Sequence, residues 1–235
     1  MQRPREIQAV ILTAHQPAYL PWLGYLDKIA SADVFVYLDT VQFEKNSYIN
    51  RNRIKTPQGP QWLTVPVKTK GHLAATLRDT EIENSQPWRS KHLKSIAMNY
   101  SRAQFFATCF PKLESLFAGA QPGLSELCWA QMHFWLNEFA ITTRVIRSSE
   151  LSIEGSKSDL ILNLCRSFGA TRYISGALGR GYLVEEDFAA AGIAVEYQDY
   201  VHPTYTQLWG DFVPYMSIVD LWMNCGPGAL RFGRH

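Results

Sequence analysis

The hydrophobic pattern at the start of the chain alternates between buried-strand and helical periods. Residues 8–14 contain an unbroken apolar run that predicts a buried strand. Residues 22–31 place apolar side chains at helical spacing, and residues 34–38 form a second apolar run of the kind found in buried parallel strands. The predicted order is therefore strand, polar turn, helix and strand.

The second half of the chain repeats this pattern. Residues 143–146, 172–175 and 193–197 are predicted strands, and residues 157–168 and 217–224 are predicted helices. Repeated strand–helix–strand units indicate a mostly parallel sheet covered on both faces. We therefore predict an α/β fold with a mostly parallel sheet in a three-layer domain.

The middle of the chain has a different character. Residues 61–67 are predicted to form another strand, after which residues 87–100, 102–117 and 124–139 all have helical patterns. We interpret residues 86–140 as a helical subdomain or insert. The prediction for residues 1–235 is a single α/β domain that carries this insert.

Composition narrows the class of protein. The chain has 235 residues, a hydrophobic fraction of 46% and four cysteines without a C-x-x-C pair. Widely spaced cysteines are typical of reduced core residues. No apolar run has the length of a membrane span, and residues 1–8 lack a signal-peptide pattern. These features predict a cytoplasmic protein without a membrane span.

The net charge of +2 conceals a basic segment between Lys45 and Lys94, with ten Lys and Arg residues against three acids. Ordinary solvated surface is one interpretation. The other is a basic wall that faces a small anionic ligand, such as a nucleotide or phosphate. The chain has no continuous tract typical of nucleic-acid binding.

His15 and Gln16 follow the first predicted strand and precede a helix. Ligands of open α/β sheets bind at the carboxyl ends of strands, and histidine suits proton transfer near neutral pH. A histidine hydrogen-bonded to nearby backbone is the structural alternative. The turn has a loose likeness to the His-x-Gly-His turn of nucleotidylyltransferases, although the glycine and the second histidine are absent.

A second polar cluster follows the next strand. Asp39 is a candidate acid or base at a strand end, with capping of the following turn as the alternative. Asn50, Arg51 and Asn52 are candidates for binding a sugar, amide or phosphate, because an arginine fork clamps anions and buried amides need partners. A solvated loop is the alternative for these three residues.

A third cluster surrounds the last predicted strands. His202 precedes a proline, which favours an extended loop that projects its side chain. Tyr205 and Gln207 follow in the same loop, and Ser175 and Gly176 end another strand. Because parallel strands present their carboxyl ends on one edge, we expect these groups to meet His15 in one cleft. No spacing is typical of a zinc site.

Both ends of the chain carry motifs that resemble the WbqC-like proteins. The motifs of the first part are His15-Gln16-Pro17, Tyr19-Leu20-Pro21-Trp22-Leu23-Gly24-Tyr25, Lys28, Asp33, Phe35, Leu38-Asp39, Gln42-Phe43 and Asn50-Arg51-Asn52. Those of the second part are Tyr173, Ser175-Gly176, Tyr182-Leu183, Phe188, Gly192-Ile193, Tyr197, His202-Pro203, Tyr205, Gln207, Phe212-Val213-Pro214, Ser217, Asp220 and Asn224. Gly181 stands where the family pattern has an acidic residue.

The resemblance implies a role in O-antigen or other surface-polysaccharide biosynthesis, or in specialised metabolism. Our leading hypothesis is a transferase that forms an amide, by acyl or aminoacyl transfer, on an amino group of a nucleotide-linked sugar or similar molecule. His15 or His202 would be the base, and Gln16 and Tyr19 would contact the substrate.

Two alternatives remain. One is an adenylate-forming or nucleotidyl-transferring enzyme, and the other is a non-catalytic binding protein of a biosynthetic complex. The sequence identifies no cofactor, and tRNA stays open as a donor.

Overall fold

A five-stranded parallel sheet is the framework of the protein, for which a computed structural model describes residues 9–68, 75–119 and 121–233. The strands are β1 (Val10–His15), β2 (Val34–Tyr37), β3 (Arg51–Thr56), β4 (Gly59–Thr64), β5 (Arg144–Arg147), β6 (Ala170–Ser175) and β7 (Ala194–Tyr197). The helices are α1 (Leu23–Ala30), α2 (Trp88–Tyr100), α3 (Phe106–Ala118), α4 (Leu124–Glu138), α5 (Lys157–Ser167), α6 (Glu185–Ala190) and α7 (Ile218–Cys225).

The sheet has the order β5-β2-β1-β6-β7, and each neighbouring pair is parallel. The prediction of an α/β fold with a parallel sheet is therefore confirmed. β1, from the apolar run at the start of the chain, is the central strand, where both faces are covered.

Two hydrophobic cores cover the two faces of the sheet. On one face, α5 and α6 contribute Leu164 and Phe188, which pack with Leu12 and Val36. On the other, α1 to α4 and α7 form a larger core with alternate residues of β2. Alternation along β1 places His15 on the same face as Ile11, which packs beside the end of α1.

β3 and β4 form a separate antiparallel hairpin, paired from Arg51–Thr64 to Thr56–Gly59. The strand predicted at residues 61–67 thus starts earlier and does not join the main sheet. Asn52 and Ile54 point to the buried side of β3, whereas Arg51 and Arg53 are only partly buried. Arg51 and Asn52 are therefore the start of a strand rather than a loop, and Asn50 directly precedes it.

The three helices predicted in the middle of the chain are present as α2, α3 and α4, between the hairpin and β5. Their inner faces share the large core with α1 and α7. No helix in the described part of the chain is long and apolar enough to cross a membrane.

Candidate functional site

The direction of the chain reverses beside β1. From β1 the chain continues outward through β2 and β5 on one side, and β6 and β7 lie on the other. The reversal falls between β1 and β6. Open α/β sheets bind ligands in the crevice outside the carboxyl ends of the strands at such a point. His15 ends β1 there, and Ser175 ends β6 with Gly176 directly behind it.

A hydrogen bond to the backbone of Gln16 fixes the tautomer of His15. Its Nδ1 lies 3.0 Å from the carbonyl oxygen of Gln16, so Nδ1–H donates and Nε2 keeps the lone pair. The ring meets the edge of Tyr25 at 5.0 Å. Burial, and then the positive charge of Lys28, lowers the pKa of His15 to about 3. The imidazole is therefore neutral at pH 7, and among the described residues Nε2 has no hydrogen-bond partner.

Lys28 lies one helical turn beyond Tyr25 on α1, and its side chain reaches the same edge of the sheet. The residue is only 3% exposed. Its Nζ donates to the carbonyl oxygen of Ala14 at 3.1 Å, and no carboxylate in the described part of the chain forms an ion pair with it. Burial lowers the pKa of Lys28 to about 7. An amine of this kind can act as a base, nucleophile or charge near neutral pH.

Close packing fixes the opposite wall of the crevice. A methyl group on Gly176 would lie 3.8 Å from Nζ of Lys28. The Ser175 hydroxyl donates to the carbonyl oxygen of Gly176 at 3.1 Å, and a side chain at Gly179 would come within 1.9 Å of that hydroxyl. The serine is therefore buried and locked, while Gly176 leaves space beside the amine.

His202 lies in an aromatic cluster formed by the loop after β7. Its ring is 5.2 Å from the ring of Tyr215, 5.7 Å from Phe212 and 5.9 Å from Tyr200. Its Nδ1 bonds the carbonyl oxygen of Pro203 at 2.9 Å, so Nε2 again keeps the lone pair. Burial lowers the pKa of His202, although this hydrogen bond and the charge of Asp220 oppose the shift. Nε2 is buried without a partner among the described residues.

Asp220, in the first turn of α7, is the centre of a buried hydrogen-bond network. Its carboxylate accepts from the hydroxyls of Tyr100 at 2.7 Å and Tyr205 at 2.8 Å, and from the amide of Gln207 at 2.7 Å. Burial raises the pKa of Asp220, and these donors oppose the shift. The network fastens the loop after β7 to two helices.

The first turn of α1 lies between the two histidine regions. Trp22 contacts Tyr200 at 5.4 Å, and Tyr200 contacts His202. On the other side, Tyr25 contacts His15. Within the described ranges, no ring contact or hydrogen bond joins the two histidines directly. They flank one helical turn rather than face each other at bonding distance.

The sequence profile of the WbqC-like protein family matches residues 16–232, which is nearly the whole chain. The chain belongs to the WbqC-like protein family. It is also 38% identical over 224 residues to Rv1507c of Mycobacterium tuberculosis, a protein described as uncharacterized. That alignment covers 93% of this chain and 96% of the relative. No solved structure matches the chain.

Asp39 of this WbqC-like protein holds two strand ends together. It is 1% exposed, and its carboxylate accepts from the hydroxyls of Ser148 at 2.9 Å and Ser149 at 2.6 Å. The backbone N–H of Ser149 donates to it at 2.9 Å. Three donors from the turn after β5 thus bind this carboxylate, and its predicted roles as an acid or base and as a cap of the following turn stay predictions.

Asn50, Arg51 and Asn52, predicted as a ligand surface, make contacts within the protein, and their role in ligand binding stays a prediction. The amide of Asn50 donates to the carbonyl oxygen of Val65 at 2.8 Å, and that of Asn52 donates to the carbonyl oxygen of Leu20 at 2.7 Å. Arg51 bonds Asn46 and stacks 4.3 Å over Trp62. These side chains stabilise the hairpin and its contact with the turn before α1.

Tyr19, Tyr205 and Gln207, also predicted to contact the substrate, have hydrogen-bond partners within the protein. Tyr19 is fully buried in the helical core, with its hydroxyl 2.7 Å from Nδ1 of His92. Tyr205 and Gln207 are occupied by Asp220, and the Gln207 carbonyl also accepts from the N–H of Val213 at 2.9 Å. Buried polar groups need such partners, which explains their presence without a ligand.

Three cations of the basic segment are bonded within the protein. Lys55 donates to the backbone carbonyl oxygens of Gly210 and Asp211, and Lys68 pairs with Glu81 at 2.6 Å. Arg89 bonds Asn84 and the carbonyl oxygen of Gln121. The structure therefore divides this charge among separate contacts, and Lys70 lies outside the described residues.

Sequence reasoning missed Lys28 as a site residue. It stood among the family motifs, but a lysine on an amphipathic helix is ordinarily solvated. The one available signal was its position one turn after Tyr25, on the face that packs toward the first strand. Arg180 was also missed; it follows Gly176 closely and stacks 4.0 Å over Tyr197 at the same edge of the sheet.

Proposed function

We propose that this WbqC-like protein is a transferase that forms an amide on an amino group of a nucleotide-linked sugar or similar small anionic molecule. The transferred group is acyl or aminoacyl, and the reaction belongs to surface-polysaccharide (O-antigen) or specialised-metabolite biosynthesis in the cytoplasm. The observation that supports this most is the free Nε2 of His15 at the reversal point of the sheet, beside a buried amine.

The chemistry follows from the fixed tautomer. When the acceptor amine attacks the acyl carbonyl carbon, its nitrogen becomes positively charged and has to lose a proton. Nε2 of His15 is the base in this proposal, because its lone pair is free while Nδ1–H is bonded to the carbonyl oxygen of Gln16. The proton moves to Nε2, and the tetrahedral intermediate expels the leaving group of the donor.

Neighbouring groups have supporting roles in this proposal. The side-chain amide of Gln16, which is partly buried beside His15, donates to the carbonyl oxygen as negative charge develops there. Arg180, exposed at the carboxyl edge, binds the phosphates of the acceptor.

The experiment has two stages. Native mass spectrometry against nucleotide sugars, nucleotides and acyl donors identifies the ligands, and an amide-formation assay then compares wild type with His15→Ala. Turnover is expected to fall about 10²- to 10⁴-fold, the usual contribution of a general base, with an unchanged unfolding midpoint. Undiminished turnover of the variant, or a loss of turnover that only follows unfolding, would refute this role.

Nucleotidyl transfer, or adenylate formation, is the second candidate. The strand order around β1 supports it, since open α/β sheets bind nucleotides in the crevice at such a reversal point, here at the carboxyl ends of β1 and β6. Magnesium-dependent exchange of pyrophosphate into ATP would establish this activity. Amide formation without consumption of a nucleotide triphosphate would instead establish the first.

A further inference from the structure

Lys28 is a buried amine whose surroundings do not neutralise it. The carboxylates on the elements around it have other partners. Glu196 on β7 pairs with Arg172 on β6, and Asp27 on α1 accepts from the amide of Gln198 at 2.9 Å. A charged lysine without an opposite charge is costly to bury, so this environment favours the uncharged amine.

Lys28 is one of the residues that line a cavity of about 200 Å³. Its walls come from α1, β6 and β7, and it is lined by Lys28, Ser31, Arg172, Ile174, Glu196, Tyr197 and Gln198. Most of these side chains carry polar groups, while Ile174 supplies an apolar surface. The volume suits a molecule of a few heavy atoms that carries hydroxyl or similar substituents.

We propose that Lys28 is a covalent binding site for a small polar aldehyde, which it holds as an imine in the cavity between α1, β6 and β7. This site goes beyond the proposed amide formation and does not depend on it. Gly176 lies next to the amine, since a Cβ at that position would be 3.8 Å from Nζ, in van der Waals contact.

The reaction is balanced without an oxidant or reductant. The lone pair of the neutral Nζ forms a bond to the aldehyde carbon, and one proton moves from nitrogen to the former carbonyl oxygen. The resulting hydroxyl group leaves as water with the second nitrogen proton, and a carbon–nitrogen double bond remains. The lysine has to be neutral for the first step, and burial achieves this by lowering its pKa to about 7.

The charged and titratable groups around the amine do not oppose this. His15 is neutral at pH 7, and Arg172 and Glu196 compensate each other. Tyr197 donates its hydroxyl to Glu185 at 2.7 Å. Asp27 is bonded to Gln198 and to the N–H of Gly233.

The test traps the imine. Wild-type protein at pH 7 is treated with limiting glyceraldehyde and sodium cyanoborohydride, which reduces an imine to a stable secondary amine, and the adduct is located by peptide mass spectrometry. About half of the Lys28 amine is neutral at this pH, against roughly 10⁻³ or less for an exposed lysine. Lys28 is therefore expected to react on the order of 10² to 10³ times faster than Lys91, which is exposed on α2.

Two variants are matched controls. Lys28→Met removes the amine and should abolish the fast adduct, whereas Lys91→Met should leave it unchanged. If Lys28→Met does not fold, the position of the adduct in the wild-type protein still tests the proposal. Modification of Lys91 and other exposed lysines while Lys28 stays unmodified would overturn the proposal, and so would the absence of any adduct in folded protein. Neither result bears on amide formation, which has its own assay.

Discussion

Lys28 and Asp220 are both buried and titratable, but they differ in the number and kind of their hydrogen-bond partners. Three side-chain donors within 2.8 Å surround the carboxylate of Asp220. Lys28 has one backbone carbonyl oxygen at 3.1 Å. A buried charge that is fully bonded holds structure together, whereas one that lacks an opposite charge is a candidate for chemistry. Burial alone therefore does not separate structure from function.

His15 near Lys28 and His202 near Asp220 also differ in their surroundings. Both donate through Nδ1 to a backbone carbonyl oxygen and keep the lone pair on Nε2. His202 is enclosed by aromatic rings, and its Nε2 is buried. His15 ends a strand at the reversal point of the sheet. The difference in surroundings, not in tautomer, makes His15 the better candidate for catalysis.

The largest expected loss of stability follows removal of the Asp220 carboxylate. Asp220→Ala leaves two tyrosine hydroxyls and one amide without their acceptor, so the free energy of unfolding should fall by about 3–5 kcal/mol. Urea denaturation measures this. Asp187→Ala, at an exposed position of α6, is the control and should change stability by less than about 1 kcal/mol. Equal losses of stability in the two variants would contradict a stabilising role of the Asp220 network.

The next effect concerns Lys28 and pH. Its pKa in the folded protein is about 7, below the value near 10.4 of an unfolded lysine. The cost of burying its charge is therefore fully present below pH 7 and is lost as the pH rises toward 10. Between pH 7 and pH 9, wild type should gain about 2–3 kcal/mol relative to Lys28→Met, at about 1.4 kcal/mol per pH unit. Parallel stability curves for the two proteins would show that Lys28 is charged and paired.

The smallest expected loss of stability concerns Arg51 and Asn52, the first two residues of β3. Asn52→Ala removes the amide that donates to the carbonyl oxygen of Leu20 and the oxygen that accepts from the N–H of Arg53. Unfolding free energy should fall by about 1–3 kcal/mol, whereas Arg51→Ala should cost less than about 1 kcal/mol because its contacts are more exposed. Thermal unfolding of both variants provides the measurement. A larger loss from Arg51→Ala would reverse their assigned roles.

The parallel sheet and the position of His15 could be predicted because they depend on local signals. An unbroken apolar run indicates a buried strand, and a polar residue that follows it lies at the carboxyl end. The strand at Arg51 was missed because buried Asn52 occupies a position where the alternating pattern of a strand requires an apolar residue. The sequence pattern shows which residues of a strand lie on the same side, but it does not show which side is buried.

The environments of Lys28 and Asp220 could not be predicted, because their partners are distant in the sequence. Tyr100 is 120 positions from Asp220, and Gly176 is separated from Lys28 by most of the chain. Whether a lysine or a carboxylate is solvated, paired or alone depends on such neighbours. Only the assembled fold specifies them.

The central claim is that ligands bind in the crevice of His15 and Lys28 rather than beside His202. Native mass spectrometry with UDP-N-acetylglucosamine, ATP and acetyl-coenzyme A tests it on wild type, His15→Ala and His202→Phe. The account predicts that a species retained by wild type is lost from His15→Ala and kept by His202→Phe, since phenylalanine preserves the aromatic cluster. Retention by His15→Ala together with loss from His202→Phe would contradict it and place the site in the loop after β7.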